Sequence, residues 1–451
     1  MSTWRSLGVA ALVLGAGALT PAAAQSGAAV AKPTFTKDIA PIFQEKCEAC
    51  HRPESIAPMS LVTYEESRPW ARSIKSRVET RQMPPWHIDK TVGIQDFKND
   101  RSLSDKQIET IVKWVDQGAP KGDQKDMPPA VKWPTEQGWN FASLFNQTEP
   151  DLIVRSTPWT QKAGANDTWW KPVVESGLTE ARWVRAIEIR PSTVKGRKIT
   201  HHAIPRLQQE DPSDPQTADN SAGAFQNAGT FMEWAVGKQG EMMRPDSGKL
   251  MLPGAKFIWD IHYSSTNEDV TDVVELGIYF YPKDAPPKYR QTLHLMGGTN
   301  SAGVDIPPNT LKATQGFFVM RENGRIESYQ PHMHLRGKAM SMEAIMPNGQ
   351  TQILSHVNDF NFNWHNSYVY ADTAAPLLPK GTIIKVTGWH DNTAAKKSNP
   401  DPNVWVGYGD RTVDEMAHAW VNVTYMADED YKAELEARKA LLGQTTQQQQ
   451  Q

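Results

Sequence analysis

Two histidines, His332 and His334, stand one residue apart in the stretch QPHMHLRGK, residues 330–338. On a β-strand, side chains at positions i and i+2 point to the same face, so both imidazoles could reach one metal ion without backbone distortion. The same spacing also occurs on solvated strand faces, where two polar residues bind nothing. Further ligands elsewhere in the chain must therefore decide between a metal site and an ordinary strand.

Three more histidines lie in strand-like segments. His201 and His202 are adjacent in KITHHAIPRL, and His262 lies in KFIWDIHYSS. Neighbours on a regular strand point to opposite faces, so joint ligation by the adjacent pair requires a strand end or a bulge, which the flanking Gly196 and Pro205 permit. Buried imidazoles without partners are costly, and metal ligation would provide the partner.

The chain contains two cysteines, Cys47 and Cys50, in CEACH, residues 47–51. C-x-x-C-H is the attachment signature of a covalent c-type haem, in which the thiols form thioethers and His51 binds the iron. The alternatives are a redox pair, which does not need the histidine, and half of a zinc site, which needs two more ligands nearby. The adjacent histidine and the absence of further cysteines favour one covalent haem.

A c-type haem usually takes a second axial ligand, and Met59, Met83 and His87 follow the motif. Met83 lies in RQMPPWHID, where two prolines hold the following backbone extended. Met59 is too close to the attachment site in sequence to reach the opposite haem face. Because thioether ligation is usual in electron-transfer cytochromes, Met83 is the predicted ligand, with a packed core methionine as the alternative.

The segments around the haem motif have helical signals. FTKDIAPIFQEKCEAC has apolar residues at helical spacing, and LSDKQIETIVKWVDQGAP begins with a Ser104 cap and ends at Gly118 and Pro120. These signals predict a small all-α cytochrome c domain over residues 34–122, which resembles the cytochrome c modules fused to bacterial copper oxygenase-like proteins. The polar, proline-rich segment that follows predicts a linker over residues 123–149.

The chain from residue 150 onward has a different pattern of apolar and polar residues. Short apolar or alternating runs such as DLIVRS, VELGIYFYP and TIIKVTGWH are bounded by turn residues, which is typical of all-β jelly rolls and β-sandwiches. The length of this part predicts two such domains, over residues 150–290 and 291–430. The tail, residues 431–451, is predicted to be a charged helix followed by a Gln-rich end.

The net charge and the N-terminal segment indicate where the protein is located and which classes of partner it binds. The chain has 451 residues and a net charge of -3, which gives no electrostatic footprint for nucleic acid. MSTWRSLGVAALVLGAGALTPAAAQ predicts a signal peptide over residues 1–24, cleaved after Ala24. No later segment has the roughly 20 apolar residues needed to cross a bilayer. We therefore predict an exported, periplasmic protein without a membrane span after signal removal.

Four motifs, in order THHAIP, WDIHYSS, QPHMHLRGK and VDEMAHAW, resemble the copper type II monooxygenases, the family of peptidylglycine α-hydroxylating monooxygenase and dopamine β-hydroxylase. The resemblance covers about residues 150–427, and the shared order makes it more specific than any one motif. It implies two jelly-roll domains that each hold one copper and face each other across a wet cleft.

The resemblance also implies two ligand sets, one for each copper. The electron-transferring copper would be bound by His201, His202 and His262. The oxygen-binding copper would be bound by His332, His334 and Met416. Three imidazoles can hold copper in both redox states, whereas a soft thioether favours Cu(I), the state that must meet dioxygen.

The chain departs from the peptide-amidating branch at three positions. Gln330 stands where that enzyme has the arginine that binds a substrate carboxylate. His418 and Trp420 replace the asparagine and tyrosine that follow the methionine ligand. Peptide amidation is therefore not predicted. Gln330, His418 and Trp420 are predicted to line the substrate cleft; for His418 and Trp420 the alternative is ordinary strand packing, and His418 is also a possible rival copper ligand.

The predicted function is that of an exported dicopper monooxygenase that hydroxylates a C–H bond of a small organic substrate with O₂. Electrons from an unidentified periplasmic donor would pass through the fused haem, whose tether raises its effective concentration at the copper. One alternative is a periplasmic haem/copper electron-transfer or copper-binding protein without oxygenase turnover. Another is oxidative cleavage of a C–N or C–S bond through an unstable hydroxylated product.

Overall fold

The structure is a computed structural model. It describes residues 32–53, 55, 57–133, 138–211, 228–235, 238, 240–298 and 303–448. The predicted signal peptide over residues 1–24 lies outside these ranges, as does part of the predicted linker. The described chain is mostly β-sheet with a few short helices. Within it, no helix combines the length and the apolar character needed to span a bilayer.

The helices lie mainly near the two ends of the chain. They are a π-helical turn at Phe35–Ile39, α1 (Ala40–Lys46), α2 (Tyr64–Ser67), a 3₁₀ turn at Arg68–Trp70, α3 (Ala71–Glu79), α4 (Asp105–Asp116), 3₁₀ turns at Gln124–Asp126 and Ala142–Phe145, α5 (Val194–Ile199) and α6 (Asp428–Gln448). The Ser104 cap is confirmed, because its hydroxyl accepts from the backbone N–H of Gln107 in a capping box.

Twenty-four strands fill the rest of the described chain. They are β1 (Leu152–Arg155), β2 (Trp159–Gln161), β3 (Thr168–Trp170), β4 (Val173–Glu175), β5 (Arg182–Pro191), β6 (Thr200–Gln208), β7 (Ala228–Thr230), β8 (Trp234–Ala235), β9 (Gly240–Met242), β10 (Ser247–Met251), β11 (Lys256–Tyr263) and β12 (Val270–Asp272), followed by β13 (Val274–Phe280), β14 (Tyr289–Gly298), β15 (Asp305–Ile306), β16 (Leu311–Val319), β17 (Asn323–Met333), β18 (Gly337–Ile345), β19 (Thr351–Val357), β20 (Tyr368–Val369), β21 (Leu377–Leu378), β22 (Ile383–Asp391), β23 (Val406–Gly407) and β24 (Ala417–Met426).

The strands form two β-sandwiches, and one long sheet contributes a layer to both of them. Its order is β1-β13-β5-β10-β14-β24-β17-β20, with β9 beside β5 and β21 beside β17. Its first half faces a sheet of order β3-β11-β6-β7, to which β4 and β8 add, and its second half faces the sheet β16-β22-β18-β19; β2 pairs with β12, and β15 with β23. Separate apolar cores fill the two halves. The predicted β-sandwich content therefore agrees with the structure.

The predicted all-α cytochrome c domain over residues 34–122 is wrong, because this part of the chain is not a self-contained helical unit. Between α3 and α4 the chain leaves the helices, and Ile88 and Phe97 form β-bridges with Val357 and Tyr370. Trp86, together with Ile88 and Phe97, packs in the core of the second sandwich. The short helices have an apolar cluster of their own, but the segment between them belongs to the β-structure.

A buried ion-pair network ties α6 and the β9–β10 turn to the long sheet. The guanidinium of Arg325 is 0% exposed and binds Asp246, Glu327 and Glu434. Arg325→Ala would leave the carboxylate of Glu327 buried without this partner. We expect a loss of about 3–5 kcal/mol in the free energy of unfolding.

The measurement is urea unfolding followed by circular dichroism. The matched control is Lys439→Ala, which removes an exposed ion pair with Glu436 and should leave the midpoint unchanged. Equal midpoints for Arg325→Ala and the wild type would show that the buried network does not stabilise the fold.

Candidate metal centre

The first histidine cluster is built on two paired strands. Strands β6 and β11 run antiparallel, with His202 opposite His262 and Thr200 opposite Tyr263. The register therefore shifts by one residue, and His201 is the extra residue of a β-bulge at the start of β6. A bulge re-aims one side chain, which lets two adjacent histidines face the same point.

The three imidazoles of this cluster converge as metal ligands would. Their ligand atoms all lie within 4.8 Å of one another, and Nδ1 of His201 is 3.2 Å from Nδ1 of His202. His262 Nε2 donates to Asp167 Oδ2 at 2.9 Å, and its ring stacks on Trp169 at 4.4 Å and 7°. This outer hydrogen bond fixes the ring and leaves Nδ1 free for a metal. The structure thus brings the predicted set His201, His202 and His262 together.

The second cluster lies on the long sheet. His332, on β17, is opposite His418 on β24, and the two rings stack at 4.6 Å and 20°. His365, from the connection between β19 and β20, places its Nδ1 3.2 Å from Nδ1 of His332. Glu233, just before β8, completes a group whose ligand atoms lie within 4.8 Å of one another. The cluster around His332 thus contains two residues that the sequence did not single out.

His334 and Met416 lie at the ends of the same two strands. Met333 is opposite Ala417, and continuing this register places Met416 opposite His334. His334 Nδ1 donates to the carbonyl oxygen of Asp414 at 3.1 Å, which leaves Nε2 available. The carboxylate of Glu415 accepts from the backbone N–H of His334 at 3.0 Å and from that of Met416 at 3.3 Å. Glu415 therefore fixes the backbone at both predicted ligands.

The two clusters are in contact through one loop. The ring of His365 lies 5.7 Å from that of His201, and Phe362 stacks on His201 at 4.9 Å and 19°. Phe362 also packs edge-on against His334 at 5.9 Å. The resemblance implied a wet cleft between the two metal sites, whereas the structure places these aromatic rings between them.

Burial sets the charge of these imidazoles. It lowers the pKa of His201 to about 4, with the neighbouring His262 as the next cause. It lowers the pKa of His418 to about 3 and holds the pKa values of His202, His332 and His365 well below the usual range. All are therefore neutral near pH 7, and neutral imidazole is the form that binds metals.

The C-x-x-C-H motif lies on the wall of a large cavity. The cavity has a volume of about 990 Å³, and Cys47, Cys50, His51, Met59 and Met83 are among its lining residues. His51 Nδ1 donates to the carbonyl oxygen of Met59 at 3.2 Å, which leaves Nε2 for an iron. Two thiols, one imidazole and two thioethers around a cavity at the upper end of the range for cofactor sites fit a covalent haem.

The alternatives for this motif are less well matched. Burial, and then the neighbouring Cys50, raise the pKa of the Cys47 thiol to about 12. A redox-active C-x-x-C pair has a lowered thiolate pKa instead. His87 does not line the cavity, and its backbone N–H donates to the hydroxyl of Tyr368 at 3.2 Å.

The three predicted substrate-cleft residues are all buried. Gln330 is 1% exposed, and its amide binds Glu233 and Lys238. Neither ring nitrogen of His418 has a hydrogen-bond partner among the described residues. Trp420 packs edge-on against His418 at 5.1 Å and belongs to a small apolar cluster. Gln330 thus supports Glu233, while His418 lies against the ring of His332.

Comparisons with known proteins define no family. No protein-family model matches the chain, and no curated protein matches it. Among solved structures it is similar to the infectious bursal disease virus Gx strain, at 10% identity over 61% of this chain and 72% of that chain with a TM-score of 0.17. It is also similar to a structure of allantoicase, at 12% identity over 56% of this chain and 86% of that chain, with a TM-score of 0.17.

A further solved structure is a putative alpha-L-fucosidase from Bacteroides ovatus ATCC 8483, at 9% identity over 70% of this chain and 43% of that chain, with a TM-score of 0.16. TM-scores this low carry no argument about fold or function. The function must therefore be argued from the site itself.

Proposed function

We propose that this protein is a dicopper monooxygenase that hydroxylates a C–H bond of a small organic substrate, with electrons supplied through a haem attached at Cys47 and Cys50. The observation that carries the proposal is the contact between two clusters of neutral histidines, the first half-buried and the second buried. In each cluster two Nδ1 atoms lie 3.2 Å apart, and imidazole suits copper. The resemblance of the four sequence motifs supports copper as the metal.

The overall reaction converts R–H, O₂, two electrons and two protons to R–OH and H₂O. Copper, when bound, supplies the redox chemistry with O₂. The side chains of the protein would position the two metal ions. His201, His202 and His262 would hold one ion, with Asp167 orienting the ring of His262. His332, His334 and Met416 would hold the other, with Glu415 fixing the backbone at His334 and Met416.

Aromatic rings and burial limit the access of water to the two clusters. Phe362 covers the ring of His201, Trp169 covers that of His262, and His332 is 7% exposed. A site closed in this way protects reactive oxygen chemistry from side reactions with solvent. The same enclosure favours a small substrate over a folded polypeptide.

The haem cavity and the clusters share a loop, which supports electron delivery within the chain. Trp364 lines the cavity that contains the C-x-x-C-H motif. The next residue, His365, contacts His332 and His201. Trp364 and His365 would therefore lie between a haem bound in that cavity and the histidine clusters.

The first test is metal analysis and oxygen uptake on protein matured in a periplasm. We expect one haem and two copper ions per chain, and O₂ consumption that requires an added reductant. Met416→Ala should weaken Cu(I) binding and slow oxygen consumption, because the soft ligand is lost. One haem with no tightly bound copper in the wild type would overturn the proposal. Copper binding without oxygen consumption in a substrate screen would favour the electron-transfer alternative.

A further inference from the structure

We propose that His365 and Glu233 are also ligands of the transition-metal ion held by His332, adding one imidazole and one carboxylate to the ligands predicted from the sequence. This inference rests on the proposed function, because that function already places an ion at His332. It goes beyond it, because the sequence resemblance assigns neither His365 nor Glu233 to any site.

The distances between donor atoms are those of a shared ion. One donor atom from each of Glu233, His332 and His365 lies within 4.8 Å of the others. The Nδ1 atoms of the two histidines are 3.2 Å apart, as are those of the pair His201 and His202. Two metal–nitrogen bonds of about 2.0–2.1 Å at tetrahedral angles give a separation of this size.

His365 is a buried polar side chain with an unsatisfied atom. It is 2% exposed, and its Nε2 has no hydrogen-bond partner among the described residues. Burial of an imidazole without a full set of hydrogen-bond partners is costly. An ion bound at the other ring nitrogen, Nδ1, which lies 3.2 Å from Nδ1 of His332, would offset that cost. His294 shows the ordinary alternative, since it is buried elsewhere and its Nε2 lies 2.6 Å from the hydroxyl of Tyr425.

Glu233 is the acidic member of the cluster. It is 1% exposed, and its carboxylate accepts from the amide of Gln330. Gln330 in turn accepts from the ammonium of Lys238 at 3.1 Å. A carboxylate held by an amide and supported by a cation is oriented as metal-bound carboxylates usually are. The residue that stands in place of the substrate-binding arginine thus orients a metal ligand.

The loop that carries His365 is fixed at both sides. The amide of Asn366 donates to the carbonyl oxygen of Pro85 at 2.8 Å, and the backbone N–H of Trp364 donates to the carbonyl oxygen of Asn361 at 3.0 Å. Pro85 also lines the haem cavity. His365 is therefore presented by a fixed backbone, which preorganises it as a ligand.

The test uses the full, haem-loaded chain, freed of copper and titrated with Cu⁺ alone. His365→Ala should weaken binding of the second copper by at least about 100-fold, because even outer-shell losses cost 10–100-fold. Glu233→Gln should also weaken it. His356→Ala is the matched control, because His356 is a histidine of the neighbouring strand β19 whose ring contacts Trp389 instead of the clusters.

A second measurement uses His365→Gln, a variant that keeps most of the side-chain volume of the buried histidine. X-ray absorption of the copper-loaded wild type and of His365→Gln should show fewer imidazoles per copper in the variant. An unchanged second affinity in His365→Ala, or the same imidazole count in His365→Gln, overturns the inference and leaves the proposed function standing. Loss of the second copper in His365→Ala, from a wild type without oxygen consumption, supports the inference and overturns the function. A wild type that binds no second copper overturns both.

Discussion

Replacing His262 by Gln should abolish tight copper binding at the first cluster while the second cluster still binds. Gln keeps most of the side-chain volume beneath Trp169 but offers an amide instead of an imidazole. The cluster would retain His201 and His202 alone, and two ligands do not hold copper through both redox states. We expect an affinity loss well above the 10–100-fold that follows the removal of an outer-shell partner.

The measurement is the Cu(II) signal in electron paramagnetic resonance, together with the copper content of the purified chain. Asp167→Asn gives an internal scale, because it alters the hydrogen bond to His262 Nε2 without removing a predicted metal ligand and should weaken binding by about 10–100-fold. His294→Gln is the control for loss of a buried histidine outside the clusters. If His262→Gln binds two copper ions as tightly as the wild type, His262 is not a ligand.

The first cluster was predicted partly from local signals and partly from the resemblance of the motifs, which joined His262 to the adjacent pair. His201 and His202 are adjacent, and the nearby Gly196 and Pro205 permitted the bulge that the register now shows. His262 lies in a single apolar strand, so its need for a buried partner was visible from its neighbours. Strand-like texture likewise predicted the β-sandwiches from short-range alternation.

The second cluster could be predicted only in part, because its members meet through tertiary packing. His332 and His365 are 33 residues apart, and Gln330 and Glu233 are 97 residues apart. The sequence does carry a weak signal for Glu233, an acidic residue inside the apolar run FMEWAV, since a buried carboxylate needs a partner. His365 lies in NFNWHNS, where no periodicity marks it.

The helical prediction failed for a related reason. Capping at Ser104 and apolar spacing in α1 are local and were recognised, but the fate of the segment between α3 and α4 depends on distant strands. Ile88 and Phe97 each form an isolated bridge, and a single bridge leaves no alternating pattern in the sequence. The segment that carries Met83 therefore connects the helices to the β-structure.

This connection matters for the proposed function, because it brings the cavity of the C-x-x-C-H motif and the histidine clusters to one loop. Pro85 lines the cavity of the C-x-x-C-H motif and accepts a hydrogen bond from Asn366, while the adjacent His365 contacts His332. A free-standing helical domain would have to dock anew for each electron. The structure instead fixes the position of the cavity wall relative to the histidine clusters.

Replacing Cys47 and Cys50 together by Ala should remove the covalent haem completely and leave both copper sites intact. The thioethers form only at these sulfurs. The predicted copper ligands lie in the β-structure, away from the two cysteines. The measurement is haem staining after denaturing electrophoresis, combined with copper analysis. Oxygen consumption should stop with a protein electron donor and persist with a small reductant that reaches the copper directly.

Met83→Ala and Met59→Ala then separate the two thioethers that line the cavity. Methionine ligation raises the haem reduction potential, so Met83→Ala should lower the potential and change the haem spectrum, with the haem still attached. Met59→Ala should change neither, because the link from Met59 to His51 runs through a backbone carbonyl that alanine keeps. The opposite pattern would assign the axial position to Met59. Covalent haem that survives the loss of both cysteines would refute the attachment site, and with it the proposed route of electrons to His365.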